Sequence, residues 1–130
     1  MSKYSLILSN KVSPTKIKVW ELCKNKKSLF QSFVDEISND EYLFDKLAGA
    51  IGIIENSSNL NRLSKNKFRP IEGHNLKCKV YEAKSDIIRI YLFHEEKTGR
   101  VIVTGGKKDN QKVDLKSVIK IIKDYYDEHK

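Results

Sequence analysis

The stretch LKCKVYEAKSDIIRIYLFHEEKTGRVIVTGG, residues 76–106, decides the fold. It holds three apolar runs, LKCKVYEA (76–83), IIRIYLFH (87–94) and RVIVTG (100–105), each with the β-branched and aromatic content of a strand. The joints between them, Lys84-Ser85-Asp86 and Glu95 to Gly99, are too short for a crossover, so the runs are expected as antiparallel neighbours in a meander. Side chains alternate along a strand, which puts Leu76, Cys78 and Val80 on one side and Lys77, Lys79 and Tyr81 on the other. The middle run is apolar on both faces but is interrupted by Arg89, which shares its side with Tyr91 and Phe93.

Upstream, KIKVWEL (16–22) follows the turn signal Ser13-Pro14 and reads as a strand, with YSLIL (4–8) as its hairpin partner. Ser28 is placed to cap a helix whose stripe is Leu29, Phe30, Phe33, Val34 and Ile37. Asn39-Asp40 breaks it and starts a second, with stripe Leu43, Phe44, Leu47, Ala48, Ile51 and Ile54, giving an αα-hairpin over 28–56. Gly49 and Gly52 each cost that helix about 1 kcal/mol relative to alanine, so they are expected where it approaches a neighbour closely. Residues 55–75 read as one long polar connection. Downstream, Asp114 is the expected N-cap of a last helix carrying Leu115, Val118, Ile119, Ile122 and Tyr126 on one side. This order predicts a single α+β domain over 1–130. Its N-terminal helical hairpin and its C-terminal helix pack on one face of a twisted antiparallel sheet, and the other face is partly open.

A hydrophobic fraction of 39% with this periodicity excludes the disordered class, and 130 residues suit one core. No apolar run reaches the length of a membrane span and no signal peptide is recognisable, so a cytoplasmic protein with no membrane partner is expected. Cys23 and Cys78 read as reduced thiols, and His74, His94 and His129 have no metal-ligand spacing; neither a metal nor another cofactor is expected. Lys and Arg number 25 against 17 Asp and Glu, a net charge of +8, which favours a polyanion or an acidic protein as partner.

If the face of Arg89 adjoins Lys77 and Lys79, the open surface gathers Lys77, Lys79, Arg89, Lys107, Lys108 and Lys112 around Tyr81 and Tyr91. That is a phosphate-sized basic patch interleaved with aromatics. The same alternation also suits any half-exposed strand; Arg89 fits that account less easily because it interrupts an apolar run, and its structural explanation is a carboxylate partner such as Glu82 or Glu72. Gly105-Gly106 has two readings as well: a strand exit with positive φ, or a backbone opening that lets Lys107-Lys108 meet a phosphate near a helix N-terminus.

The segments K-x-K (77–79), I-I-R-I-Y (87–91) and V-T-G-G-K-K-x-x-Q-K (103–112), followed by a basic C-terminal helix, resemble the RelE/HigB-type toxins of bacterial type II toxin–antitoxin systems, especially the HigB-like branch. The resemblance covers most of the chain from residue 16 onward. It implies a metal-independent endoribonuclease that cleaves mRNA on the ribosome and is neutralised by a small helix-turn-helix antitoxin. By position, the family's basic strand residues fall on Lys77 and Lys79, its strand arginine on Arg89, and its glycine–lysine–arginine junction on Gly106, Lys107 and Lys108. Where relatives carry a tyrosine after that junction this chain has Val113 and Asp114, leaving His74, Tyr81 or Tyr91 as substitutes.

Cleaving RNA without a metal requires a deprotonated 2′-hydroxyl, a protonated leaving oxygen and a stabilised phosphorane. Arg89 and Lys108 are assigned to the phosphorane, because an arginine does not give up its proton. Lys77 or Lys79, crowded by other cations, is assigned to proton transfer. Lys107, Lys112, Tyr81, Tyr91 and His74 are the expected RNA contacts. A ParE-like gyrase-inhibiting toxin and a non-catalytic basic binding relative remain as alternatives.

Overall fold

The computed structural model describes residues 3–129. A seven-stranded sheet runs β1 (Tyr4–Leu8), β2 (Val19–Lys24), β7 (Gly99–Lys107), β6 (Ile88–Glu95), β5 (Lys79–Ser85), β4 (Phe68–Ile71), with the two-residue β3 (Lys27–Ser28) paired to β2. Helices α1 (Leu29–Ile37) and α2 (Glu41–Ser58) follow β3, and α3 (Gln111–Glu128) follows β7 after a 3-10 turn at Lys108–Asn110. The 76–106 stretch forms the expected meander, with β5–β6 and β6–β7 antiparallel. β1 pairs with β2 as a hairpin.

Two features of the expected architecture are corrected. β2 lies parallel to β7, Val19–Glu21 against Arg100–Ile102, so the sheet is mixed. The helices also lie on both faces. α1 and α2 pack on Ile88, Ile90, Leu92 and Ile102, whereas Val118, Ile122 and Tyr125 of α3 pack on Tyr91, Phe93, Val101 and Val103. These strand positions alternate, so the two sets point to opposite sides. The physical reason is visible in IIRIYLF and VIV: a strand that is apolar on both faces needs cover on both. No face is left broadly open over the central strands. α1 and α2 are also two separate covers rather than a tight pair, α1 over β7 and β2 and α2 over β5 and β6.

Local signals set the helix ends. Ser28 Oγ accepts from the Gln31 amide at 3.0 Å and Asp40 Oδ1 from the Leu43 amide at 3.1 Å. α3 begins at Gln111, a turn before the expected cap at Asp114. The polar connection 55–75 is shortened at its start, because α2 runs to Ser58, and is divided by FRPI, which forms β4. Pro70 is tolerated there since β4 is an edge strand and needs no outward amide. Gly49 meets the prediction of a close approach, with a Cβ there falling 2.7 Å from Ser85 Oγ; Gly52 has open space.

Buried charge ties the N-terminal part together. Glu21, 1% exposed, accepts from Lys11 Nζ at 2.9 Å, Ser9 Oγ at 2.8 Å and Ser28 Oγ at 2.6 Å, so the β1–β2 loop and the cap of α1 share one carboxylate. On the α2 side Arg100 is buried with no carboxylate paired to it among the described residues. Its Nη1 donates to Ser57 Oγ at 2.9 Å near the C-terminus of α2, and its guanidinium lies over the stacked rings of Phe68 and Tyr81.

Candidate functional site

The β5–β6 hairpin turns tightly, pairing Ser85 with Ile88, so that Lys84 stands opposite Arg89 and Glu82 opposite Tyr91. Asp86 adopts a φ of 53°, a conformation aspartate tolerates, and its carboxylate accepts the Tyr42 hydroxyl of α2, fixing the turn to that helix. Arg89 folds back onto this turn. Its Nη1 donates to the carbonyls of Asp86 at 2.6 Å and Ile88 at 3.0 Å, and the residue is only 7% exposed. Neither Glu82 nor Glu72 pairs with it. Glu82 is committed elsewhere, accepting from Arg69 Nε at 2.8 Å and from Gln111 Nε2 of α3 at 2.6 Å.

Across the next strand Arg89 faces Gly106. The missing side chain is filled by the Asp114 carboxylate of α3, which a Cβ on Gly106 would overlap. Gly105 is the mirror case on the other face, where a Cβ would strike the ring of Phe33 in α1. Neither glycine has positive φ, since only Gly73 and Gly99 do among the described glycines. The double glycine is therefore a strand segment pinched between two helices.

Tyr91 is fully buried beside this network, and among the described residues its hydroxyl has no hydrogen-bond partner. Burial, and then the charges of Glu82 and Asp114, push its pKa well above the ordinary phenol range, so it stays neutral. Burial and the nearby Glu36 of α1 raise the Asp114 carboxyl above the usual range. The amide of Lys108 donates to Ile87 O at 2.7 Å, which holds the exposed Lys107 and Lys108 beside the turn that seats Arg89; exposed Lys112 opens α3 close by. The result is a fixed guanidinium and the half-exposed Lys84 near a rim of lysines, with one partly exposed carboxyl of raised pKa. A set of this kind has the chemistry to meet a phosphodiester and added negative charge on it.

Of the residues singled out from the sequence, Arg89, Tyr91, Lys107, Lys108 and Lys112 gather at this end. Lys77 and Lys79 do not. Lys79 pairs with His94, five residues along β6 from Arg89, or about 17 Å at 3.4 Å per residue, and on the opposite face. Tyr81 shares that opposite face, stacked on Phe68 beneath Arg100. His74 lies in the loop before β5, where its Nδ1 accepts the Leu76 amide at 3.2 Å. Arg69, Lys84 and Gln111 join this end with no sequence signal singling them out, and Glu82 and Asp114, expected as a partner of Arg89 and as a helix cap, take other parts in it. The sequence offers Lys84 only as a turn residue; the strands run on to Ser85 and Ile88, and the two-residue turn Asp86-Ile87 pairs it with Arg89.

Lys77 and Lys79 instead line a cleft of about 560 Å³ at the far pole, together with Cys78, His94, Tyr126 and Lys123. Burial and the charge of Arg100 lower the His94 pKa, so the ring is neutral at pH 7. Burial raises the Cys78 thiol, which makes it a poor nucleophile. Cys23 and Cys78 are both free. Among the described residues no three His, Cys, Asp or Glu side chains are grouped to hold a metal ion, and no helix is long and apolar enough to cross a membrane. Compared with protein-family models, with curated proteins and with solved structures, the chain matches none.

Proposed function

We propose that the protein is a toxin of the type II toxin–antitoxin class with a RelE-like fold: a metal-independent endoribonuclease that cleaves mRNA on the ribosome, in the cytoplasm, and is restrained by a small helix-turn-helix antitoxin. The observation that carries this reading is the seating of Arg89, a guanidinium held on the Asp86 and Ile88 carbonyls at the end of the sheet where Lys84, Lys107, Lys108 and Lys112 collect. A preorganised cation of this kind is suited to the phosphorane, whose extra charge it meets without reorganising. Lys108 assists from the rim.

Proton transfer is reassigned. Lys79 is about 17 Å from Arg89 along the strand and Lys77 lies beyond it, before β5 begins, so neither shares a phosphate with Arg89. Asp114 lies over Gly106, the cross-strand neighbour of Arg89, and its raised pKa suits a group that takes a proton from the 2′-hydroxyl, while the leaving 5′-oxygen takes its proton from solvent water. Induced expression is expected to arrest growth, and mapping transcript 5′ ends is expected to reveal cuts within translated regions. Arg89→Ala, shown folded by circular dichroism, is expected to abolish both. Fully retained toxicity in that variant removes the assignment.

One observation favours a second reading, the non-catalytic basic binder. Tyr91 is fully buried and Glu82 is saturated by Arg69 and Gln111, which leaves few groups to move protons. That protein binds RNA in a salt-dependent way but neither cuts it nor arrests growth.

A further inference from the structure

Lys112, Lys116, Lys120 and Lys123 are all exposed, and their spacing of four, four and three residues puts them on one side of α3, away from its buried Val118, Ile122 and Tyr125. They form a ridge about 16 Å long at 1.5 Å per residue. Among the described residues none of the four is engaged in an ion pair. Asp124, four residues after Lys120, and Asp127 at the last turn bring carboxylates to the lower end of the same side.

The ridge joins two basic places that the sheet keeps apart. At its upper end Lys107 and Lys108 precede α3 beside the turn that seats Arg89. At its lower end Lys123 is itself a wall of the cleft that Lys77 and Lys79 line beside Leu76 and the Tyr126 ring; Glu95, Glu96 and Asp127 line it too. Steps of four residues advance about 6 Å along the helix, close to the separation of successive phosphates in an extended strand. We propose that the α3 ridge is a track for the phosphodiester backbone of single-stranded RNA, leading from the Arg89 centre to the cleft, where a base rests on Leu76 and the Tyr126 ring and Lys77 and Lys79 hold the flanking phosphates on its lysine side. The proposal rests on the RNA reading above but not on cleavage. It gives Lys77 and Lys79 a binding part in place of a chemical one.

The test is fluorescence anisotropy of a labelled 2′-O-methyl oligouridylate 12-mer, which cannot be cut, titrated with the full chain over a salt series. K116Q/K120Q/K123Q is expected to weaken binding at least tenfold at low salt and to reduce the log–log salt slope by about 2, at roughly 0.7 per phosphate contact in a single strand. K46Q/K65Q/K97Q, which removes the same charge away from α3, is expected to keep the wild-type slope. Alkylation of Cys78 by N-ethylmaleimide is expected to slow several-fold when the oligonucleotide is bound, with buried Cys23 as internal reference. An unchanged slope in the ridge variant, or an equal loss in both variants, overturns the track. So does a chain that ignores the oligonucleotide and binds phosphatidylserine vesicles through the same lysines. Ridge-dependent binding by a chain that never arrests growth upholds the track and refutes only the toxin reading.

Discussion

Gly105→Ala separates the two meanings of the double glycine. An ideal Cβ at Gly105 sits 2.6 Å from Phe33 Cε2 and 3.1 Å from Cγ, whereas carbon atoms rest at about 3.5–4.0 Å. The ring must therefore shift by roughly 1 Å, and Phe33 is 6% exposed in the core beneath α1. Overpacking of this kind costs about 1–3 kcal/mol, offset by about 0.5–1 kcal/mol from replacing a strand glycine, for a net loss near 1–2 kcal/mol. With a urea m-value of about 1–3 kcal/mol/M, the midpoint falls by roughly 0.5–1 M. Phe33→Leu alone costs about 1–2 kcal/mol, but it makes room, so Gly105→Ala added to it is neutral or stabilising and the cycle shows coupling of about 1–2 kcal/mol. Oligonucleotide affinity stays at the wild-type value. A Gly105→Ala chain with an unchanged urea midpoint and lost RNA affinity refutes the packing account and restores the phosphate-loop reading.

Arg89→Lys keeps the charge but not the fork that reaches two carbonyls, so it is expected to lose growth arrest as Arg89→Ala does. Either change lowers stability by about 1–3 kcal/mol, because the buried Ile88 carbonyl is left without this donor, as denaturant midpoints will show. Asp114→Asn tests the raised carboxyl: the folded chain holds its proton more tightly than the unfolded one, so the stabilising contribution is full below about pH 4 and is lost as pH rises through the folded pKa. The variant should thus melt above wild type at pH 7, with the advantage vanishing near pH 3.5 in a Tm series; a variant that melts lower at pH 7 contradicts the assignment. Ser28→Ala removes both the cap of α1 and a donor to Glu21, so its cost in urea unfolding should exceed the roughly 1 kcal/mol of an ordinary cap.

The elements were legible where a pattern is local. Ser28 and Asp40 announce helices because a cap acts within one turn, and the three C-terminal strands declare themselves because each run is apolar and each joint short. β4 was hidden because FRPI, set among Asn, Ser and Lys, has no alternation of its own and forms only against β5. The side taken by α3 was legible in principle. Tyr91, Phe93, Val101 and Val103 need cover as much as Ile90 and Ile102 do, and the hairpin helices reach only one face.

The site was misassembled for a narrower reason. Arg89 and Lys79 are both odd-numbered, and alternation within one strand says nothing about which positions of two strands share a face. That is settled by the turn. With only Asp86 and Ile87 between paired Ser85 and Ile88, odd positions of β6 stand opposite even positions of β5, so Arg89 and Tyr91 share a face with Lys84 and Glu82. One more residue in the turn would have reversed the parity and turned Lys79 and Tyr81 to the side of Arg89. The cation opposite Arg89 is therefore Lys84, and the face they share is set by the length of a turn rather than by any motif. Charge-neutralising changes should follow the same parity: Lys84→Ala is expected to cost growth arrest as Arg89→Ala does, whereas Lys79→Ala is expected to weaken RNA binding and leave the position of cleavage within transcripts unchanged.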